Sequence, residues 1–320
     1  MAISLLGCAQ KTNDETVTLS DAHKKFIEIC KDEYNLDVLL TPLKNTVWIY
    51  IPMDHSLFEY KASKQPTAQT TKVNDHFALN KLETEFINNQ FIITYDINRE
   101  KFYPKNYGYE SKNNDKFYEK YRAVYGAISR AYFELTEETE HIKIHNYNED
   151  PTQEKTYLPR DQVPEFFVIT FTDIIAGIET QMILNLDDYK KYSVGFYPQE
   201  EYNLRTLNET RGNIEAMGDK AGKHLKIHEI LMGDFLARQI KNRINFKFTK
   251  SDFPPKENPE MEILKAAAIT IKSYDFQEFE NLTTKDLRMK TEHAFFKQDI
   301  YDFDAEPTKP KGKIHVIKFN

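Results

Sequence analysis

Residues Phe166–Tyr189 read FFVITFTDIIAGIETQMILNLDDY. Two apolar runs, FFVITFTDI and QMILNLDDY, flank Gly177, and a glycine between such runs suits a turn. The pattern predicts a β-hairpin, with Asp187 and Asp188 at the end of its second strand. Adjacent carboxylates on a strand point to opposite faces, so this pair does not form a shared acid–base site. Upstream, NDKFYEKYRAVYGAISRAYFELTE spaces Phe117, Tyr121, Val124, Ile128, Ala131 and Leu135 as one apolar stripe of a helix. A polar stretch, 137–164, separates helix from hairpin, and Pro151, Pro159 and Pro164 mark it as an insertion.

The same order occurs twice more. SDAHKKFIEICKDEYN has Ser20 as an N-cap, Asp21 in its first turn and Phe26, Ile29, Cys30 and Tyr34 on one face. After it come LDVLLTPL, the turn Lys44-Asn45, and TVWIYIP; Pro42 places the first of these strands at an edge or a bulge. Further on, Asn258 caps a helix with Pro259 at its first position, and Met261, Leu264, Ala268, Ile271 and Tyr274 form its stripe. FENLTTKDLRM and EHAFFKQDIYDF then read as a hairpin. The segments 167–192 and 279–303 share a Phe, a Thr, an Asp and a trailing Asp–Tyr or Ile–Tyr, which raises an internal repeat of helix–strand–strand units. Strands are also expected near Phe77–Leu82 and Phe91–Ile97, after a solvated loop over 61–75. The fold class is therefore α+β, with antiparallel sheets and helices packed on one face. Its expected divisions are 1–17 as a leader and tether, 18–200 as an α+β domain, 201–303 as a second domain or a continuation, and 304–320 as a tail that can supply a terminal strand. A boundary, if there are two domains, falls near Tyr197–Tyr202.

Composition excludes some functions. Of 320 residues, 40% are hydrophobic and 13% aromatic, enough for a large core. Net charge is −7 and the longest basic stretch is the short TKPKGKIHVIK, so a nucleic-acid partner is not expected. The two cysteines, Cys8 and Cys30, form no CxxC. Cys30 lies on an apolar helix face and reads as a small core residue.

The chain opens MAISLLGC, followed by the polar AQKTNDETVTLSD. Leu5-Leu6-Gly7-Cys8 resembles the box that ends bacterial lipoprotein signals. A small residue before the cysteine lets the signal peptidase approach, and the thiol receives the diacylglycerol. The polar stretch after it fits a tether. Only Met1–Leu6 precede the glycine, without Lys or Arg, so the signal reads as truncated. The resemblance implies acylation at Cys8, the bilayer as a partner, and a place on the periplasmic face of a bacterial envelope membrane, with the cytoplasm as the alternative. It implies no activity.

Chemistry is sparse. MGDKAGKHLKIHE, Met217–Glu229, holds the candidate site: Asp219, Lys223, His224, His228 and Glu229. A phosphate loop fails there, because Met217 stands where its first glycine belongs and His224 where Ser or Thr would bind magnesium. His224 and His228 are four apart at an expected helix start, spacing that would let two imidazoles share a metal. The zinc-protease pattern needs Glu after the first His, and Leu225 is there. A third ligand is not recognisable, so no metal and no cofactor are expected. An amphipathic helix should follow, with Ile230, Leu231, Phe235, Leu236, Ile240 and Ile244 on its face. The expectation from these residues is a lipid-anchored, non-catalytic envelope protein that binds or scaffolds a protein partner. The alternative is an envelope hydrolase or metal-dependent enzyme using the His224/His228 region.

Overall fold

Local signals place the helices first. The computed structural model describes residues 20–62, 75–101, 109–133, 163–249, 258–303 and 315–318. Helix α1 is Asp21–Glu28; the Ser20 hydroxyl accepts from the His23 N–H at 3.3 Å, as expected of an N-cap. Its last turn, Ile29–Glu33, is a π turn. The wider turn rotates the stripe, so Phe26, Ile29 and Cys30 are buried while Tyr34 is 42% exposed. Helix α2, Asp115–Tyr132, buries Phe117, Val124, Ile128 and Ala131. Leu135 and most of the expected insertion lie outside the described residues, as do Cys8 and its tether.

The strands are β1 (Leu39–Leu43), β2 (Thr46–Met53), β3 (Phe58–Ala62), β4 (Asp75–Ile87), β5 (Gln90–Lys101), β6 (Tyr109–Asn113), β7 (Phe166–Asp173), β8 (Ile178–Asn185), β9 (Leu207–Gly212), β10 (Asn281–Asp286), β11 (Thr291–Phe296) and β12 (His315–Lys318). The remaining helices are α3 (Leu186–Ser193), α4 (Gln199–Arg205), α5 (Met232–Thr249), α6 (Pro259–Ser273) and α7 (Lys297–Tyr301). One sheet has the order β1-β2-β7-β8-β9, another β4-β5-β10-β11-β12, and β3 pairs with β6 apart from both. All pairings are antiparallel except β2 with β7 and β5 with β10. The chain is thus α+β, and its two large sheets have one topology: a hairpin, a parallel seam, a second hairpin and an added strand.

The likeness extends to single hydrogen bonds. Asn45 O accepts from Glu165 N at 2.7 Å, and Asn89 O from Glu280 N at 2.8 Å. Ile174 N donates to Met53 O at 3.0 Å, and Leu287 N to Tyr95 O at 2.9 Å. Asp173 Oδ1 caps the β7–β8 turn by accepting from Ile175 N and Ala176 N, and Asp286 Oδ1 caps the β10–β11 turn through Arg288 N and Met289 N. A short helix, α3 or α7, follows each second hairpin. The two segments compared in sequence therefore occupy equivalent places. α1 packs on α2 over the first sheet and α5 on α6 over the second.

Two cores result. One face of the first sheet, with Val47, Ile49, Ile51, Phe167, Ile169 and Leu184, packs against α1 and α2. The opposite face, with Trp48, Phe166, Val168, Ile183 and Leu207, meets α5 and α6, which also bury Phe91, Ile93, Leu282 and Phe295 of the second sheet. Every residue of β7 is consequently buried.

Three expectations need correction. The helix expected to begin near His224 begins at Met232; residues 220–231 are non-helical. Gly222 has φ +65°, outside the helical region, and the segment is tied to the sheet beneath it. Ile230 and Leu231 therefore precede the helix. Asp187 and Asp188 are also not on a strand. Asn185 stops β8 by accepting from both of their backbone N–H groups, and they form the first turn of α3.

Candidate functional site

Cross-strand register builds the floor. On the face of the first sheet toward α5, three rows run across β2, β7, β8 and β9. The first, Trp48–Val168–Ile183–Leu207, is apolar and lies in the core with α5. The next two are Tyr50–Thr170–Gln181–Glu209 and Pro52–Thr172–Glu179–Arg211. Thr170, Thr172 and Glu179 have no exposed surface. The segment 213–231 crosses these polar rows as a strap.

The backbone of the strap is held at five places. Asn213 N donates to Gly177 O at 2.6 Å and Gly218 N to Ile174 O at 2.7 Å. The Tyr50 hydroxyl donates to Asp219 O at 2.5 Å, Trp48 Nε1 to His228 O at 2.8 Å, and Ile230 N to Thr46 Oγ1 at 2.9 Å. Gly177 is required here: at φ +66°, a Cβ would stand 2.7 Å from Asn213 O.

At the centre is Glu179. Its Oε1 faces His224 Nε2 at 2.5 Å, and its Oε2 accepts from Asn213 Nδ2 at 2.9 Å and Arg211 Nε at 3.2 Å. His224 Nδ1 faces Asp219 Oδ2 at 2.6 Å, and the His224 side chain is only 3% exposed. The ring thus bridges two carboxylates, one at each nitrogen. Burial pushes the Glu179 carboxyl up, but the bonds from Asn213, His224 and Arg211 outweigh it and hold it below its ordinary range. Burial acts on Asp219 in the same sense; the His224 side chain and the backbone N–H groups of His224 and Ala221 bring it down to about 2. Tyr50, beside this group, has its phenol raised to about 12, chiefly by burial.

Of the residues singled out in sequence, the structure joins Asp219 and His224. Lys223 is exposed. His228 sets its Nδ1 against Lys226 O at 2.9 Å and its ring edge-on to Trp48. Glu229 turns away to Lys44, 2.5 Å distant. Cys8 lies outside the described residues. No family model matches the chain, and no curated protein or solved structure matches it. Glu179, Arg211 and Asn213 were not singled out in sequence. Their signal was present: Glu179 and Gln181 alternate on one face of β8, opposite Thr170 and Thr172 of β7, a polar stripe inside otherwise apolar strands.

A cavity of 640 Å³ opens between the β9 edge and the strap, lined in part by Trp48, Gln181, Arg211, Asn213, His224 and His228. Among the described residues no group of three or more His, Cys, Asp and Glu is arranged to hold a metal ion. A second carboxylate–imidazole pair, Glu260 and His293 at 2.5 Å with Thr284 Oγ1 donating to the same Glu260 oxygen, sits at the start of α6. No described helix is long and apolar enough to cross a membrane.

Proposed function

We propose that the protein is a lipid-anchored, non-catalytic binding protein of a bacterial cell envelope, held at the periplasmic face through acylated Cys8, with a protein partner in that envelope. The anchor rests on Leu5-Leu6-Gly7-Cys8 and the polar stretch after it. The non-catalytic character is supported by one observation: His224, the buried imidazole of the site, has both nitrogens closed by carboxylates at 2.5 and 2.6 Å. A general base needs a free nitrogen within reach of the proton it takes. This imidazole instead fastens the strap to the sheet.

The strap offers a partner exposed apolar side chains. Ile214 is 83% exposed and Met217 51%, beside Ile175 of the β7–β8 turn at 64%. The test expresses the protein from its native locus with labelled palmitate. Label in the wild type and none in Cys8→Ser supports the anchor; equal label removes it. In the same cells, a photo-crosslinker at Ile214 should give one discrete adduct, and the same group at Glu83 none. The second reading, an envelope hydrolase or metal-dependent enzyme, draws on His224 and His228 lining one cavity. Near-equimolar zinc in the purified protein, lost on His224→Ala, would favour it.

A further inference from the structure

We propose that the cavity between β9 and the strap is a seat for a small molecule bearing an oxyanion, carboxylate or phosphate, on a flat apolar body. This rests on the binding reading above and adds a ligand class to it. The carrying observation is what Glu179 does. A carboxylate without exposed surface makes hydrogen bonds to Arg211, Asn213 and His224, and all three line this cavity. A guanidinium held by its Nε is fixed in plane and keeps both Nη groups for a forked contact with an oxyanion. The ordering cost of that receptor is met when the chain folds, which favours binding.

Other groups around the cavity agree. Lys226, exposed on the strap, has no ion-pair partner among the described residues and faces the same space. His228 uses Nδ1 on Lys226 O, and Gln181 adds an amide from the floor. Glu215 is the single carboxylate among the lining residues. Ile214, Leu225 and the edge of Trp48 supply apolar wall, and the indole N–H is already committed to His228 O. The volume of 640 Å³ suits a small molecule, within the range of about 300–1,000 Å³ usual for such sites.

Other places in the molecule carry less. A cavity of 670 Å³ between α3 and the end of α6 has Asp188 at its wall, but both Asp188 oxygens are bonded, to Arg205 and Tyr274, and Lys272 donates to Phe303 O. The Glu260–His293 pair lines none of the described cavities.

Trp48 is the only tryptophan and lines the seat, so its emission reports occupancy. The purified protein is titrated with phenyl phosphate, with benzoate and with phenol. A saturable one-site change with phenyl phosphate or benzoate, and none with phenol, is expected; whichever oxyanion binds identifies the head group. Arg211→Lys keeps a cation for Glu179 but loses the fork, and should weaken binding about tenfold with the melting temperature retained. Lys226→Gln, on the exposed strap, should weaken it about threefold. Phenol binding as well as phenyl phosphate, or no saturation by about 10 mM of either oxyanion, overturns the proposal. Unchanged affinity in both variants also overturns it. Release of phosphate from phenyl phosphate by the wild type would overturn the non-catalytic reading and leave the seat standing. The Ile214 adduct without any oxyanion binding would leave the reading and remove the seat.

Discussion

A buried carboxylate stays charged only where its surroundings replace the hydrogen bonds that water would give. Glu179 has four such partners, Arg211, Asn213, His224 and the Thr172 hydroxyl at 3.4 Å, and His224 also reaches a second carboxylate, Asp219. His224→Ala should therefore cost about 3 kcal/mol, read as a lower urea midpoint with an unchanged slope. A loss below about 0.5 kcal/mol would mean that the imidazole does not bridge the two carboxylates. Asp219 sets the pH window. Its folded carboxyl titrates at about 2 against an ordinary 3.8, so its contribution is fully present above the ordinary value and fades as pH falls toward 2. The stability gap between wild type and Asp219→Asn should shrink across that interval; a constant gap would contradict the geometry. Cys30 makes the complementary case. Burial alone raises its thiol to about 12, and the side chain has no exposed surface. It should react slowly with a thiol reagent in native buffer and quickly in urea, and fast native labelling would place it outside the core. The helix stripe showed Cys30 directly, since burial there follows from spacing. The polar stripe of β8 marked the position of Glu179, but its partners were hidden, because Arg211, Asn213 and His224 are 32, 34 and 45 positions away.

Among elements, the two equivalent hairpin turns offer an internal control. Gly177 and Lys290 close them, with φ of +66° and +52°. Lys290 carries a Cβ in that conformation, so the dihedral alone is tolerated. At Gly177 the added Cβ would meet Asn213 O at 2.7 Å, where the strap begins. Gly177→Ala is expected to cost about 2 kcal/mol and Lys290→Gly less than about 1 kcal/mol, by chemical denaturation. Equal costs would mean that the collision is absent. Elements with their own capping or turn chemistry were legible: Asn258 caps α6 through Glu260 N, and Lys44-Asn45 turns the first hairpin. The strap was not. Its His224–Leu225–His228 spacing imitates a helix, while bonds to Tyr50, Trp48 and Thr46, more than 160 positions away, hold it against the sheet. The parallel seams were equally hidden, since each joins segments separated by more than 100 residues and no local pattern announces such a pairing.

At the scale of the molecule, the first sheet belongs to both cores. Phe167 and Ile169 face α1 and α2, while Phe166 and Val168, on the same strand, face α5 and α6. A further link crosses between helices. Arg205 of α4 donates to Asp188 of α3 at 3.0 Å and lies between the rings of Tyr197 and Tyr274, and Gln239 of α5 donates to Arg205 O at 2.6 Å and to the Tyr274 hydroxyl at 2.7 Å. Losing either core exposes one face of β7 and removes the packing that holds the other, so the two should melt together. Ile128→Ala empties space in the core under α2, and Ile240→Ala in the core under α5; both side chains are fully buried. Each should cost about 2–5 kcal/mol. In calorimetry each variant should move one common transition downward, with the calorimetric and van't Hoff enthalpies equal. If Ile240→Ala lowers one peak and leaves a second at the wild-type temperature, the cores unfold separately. β7 would then be held by α1 and α2 alone, and the strap, fixed at one end to β9 and at the other to α5, would be released from the sheet when the second core melts.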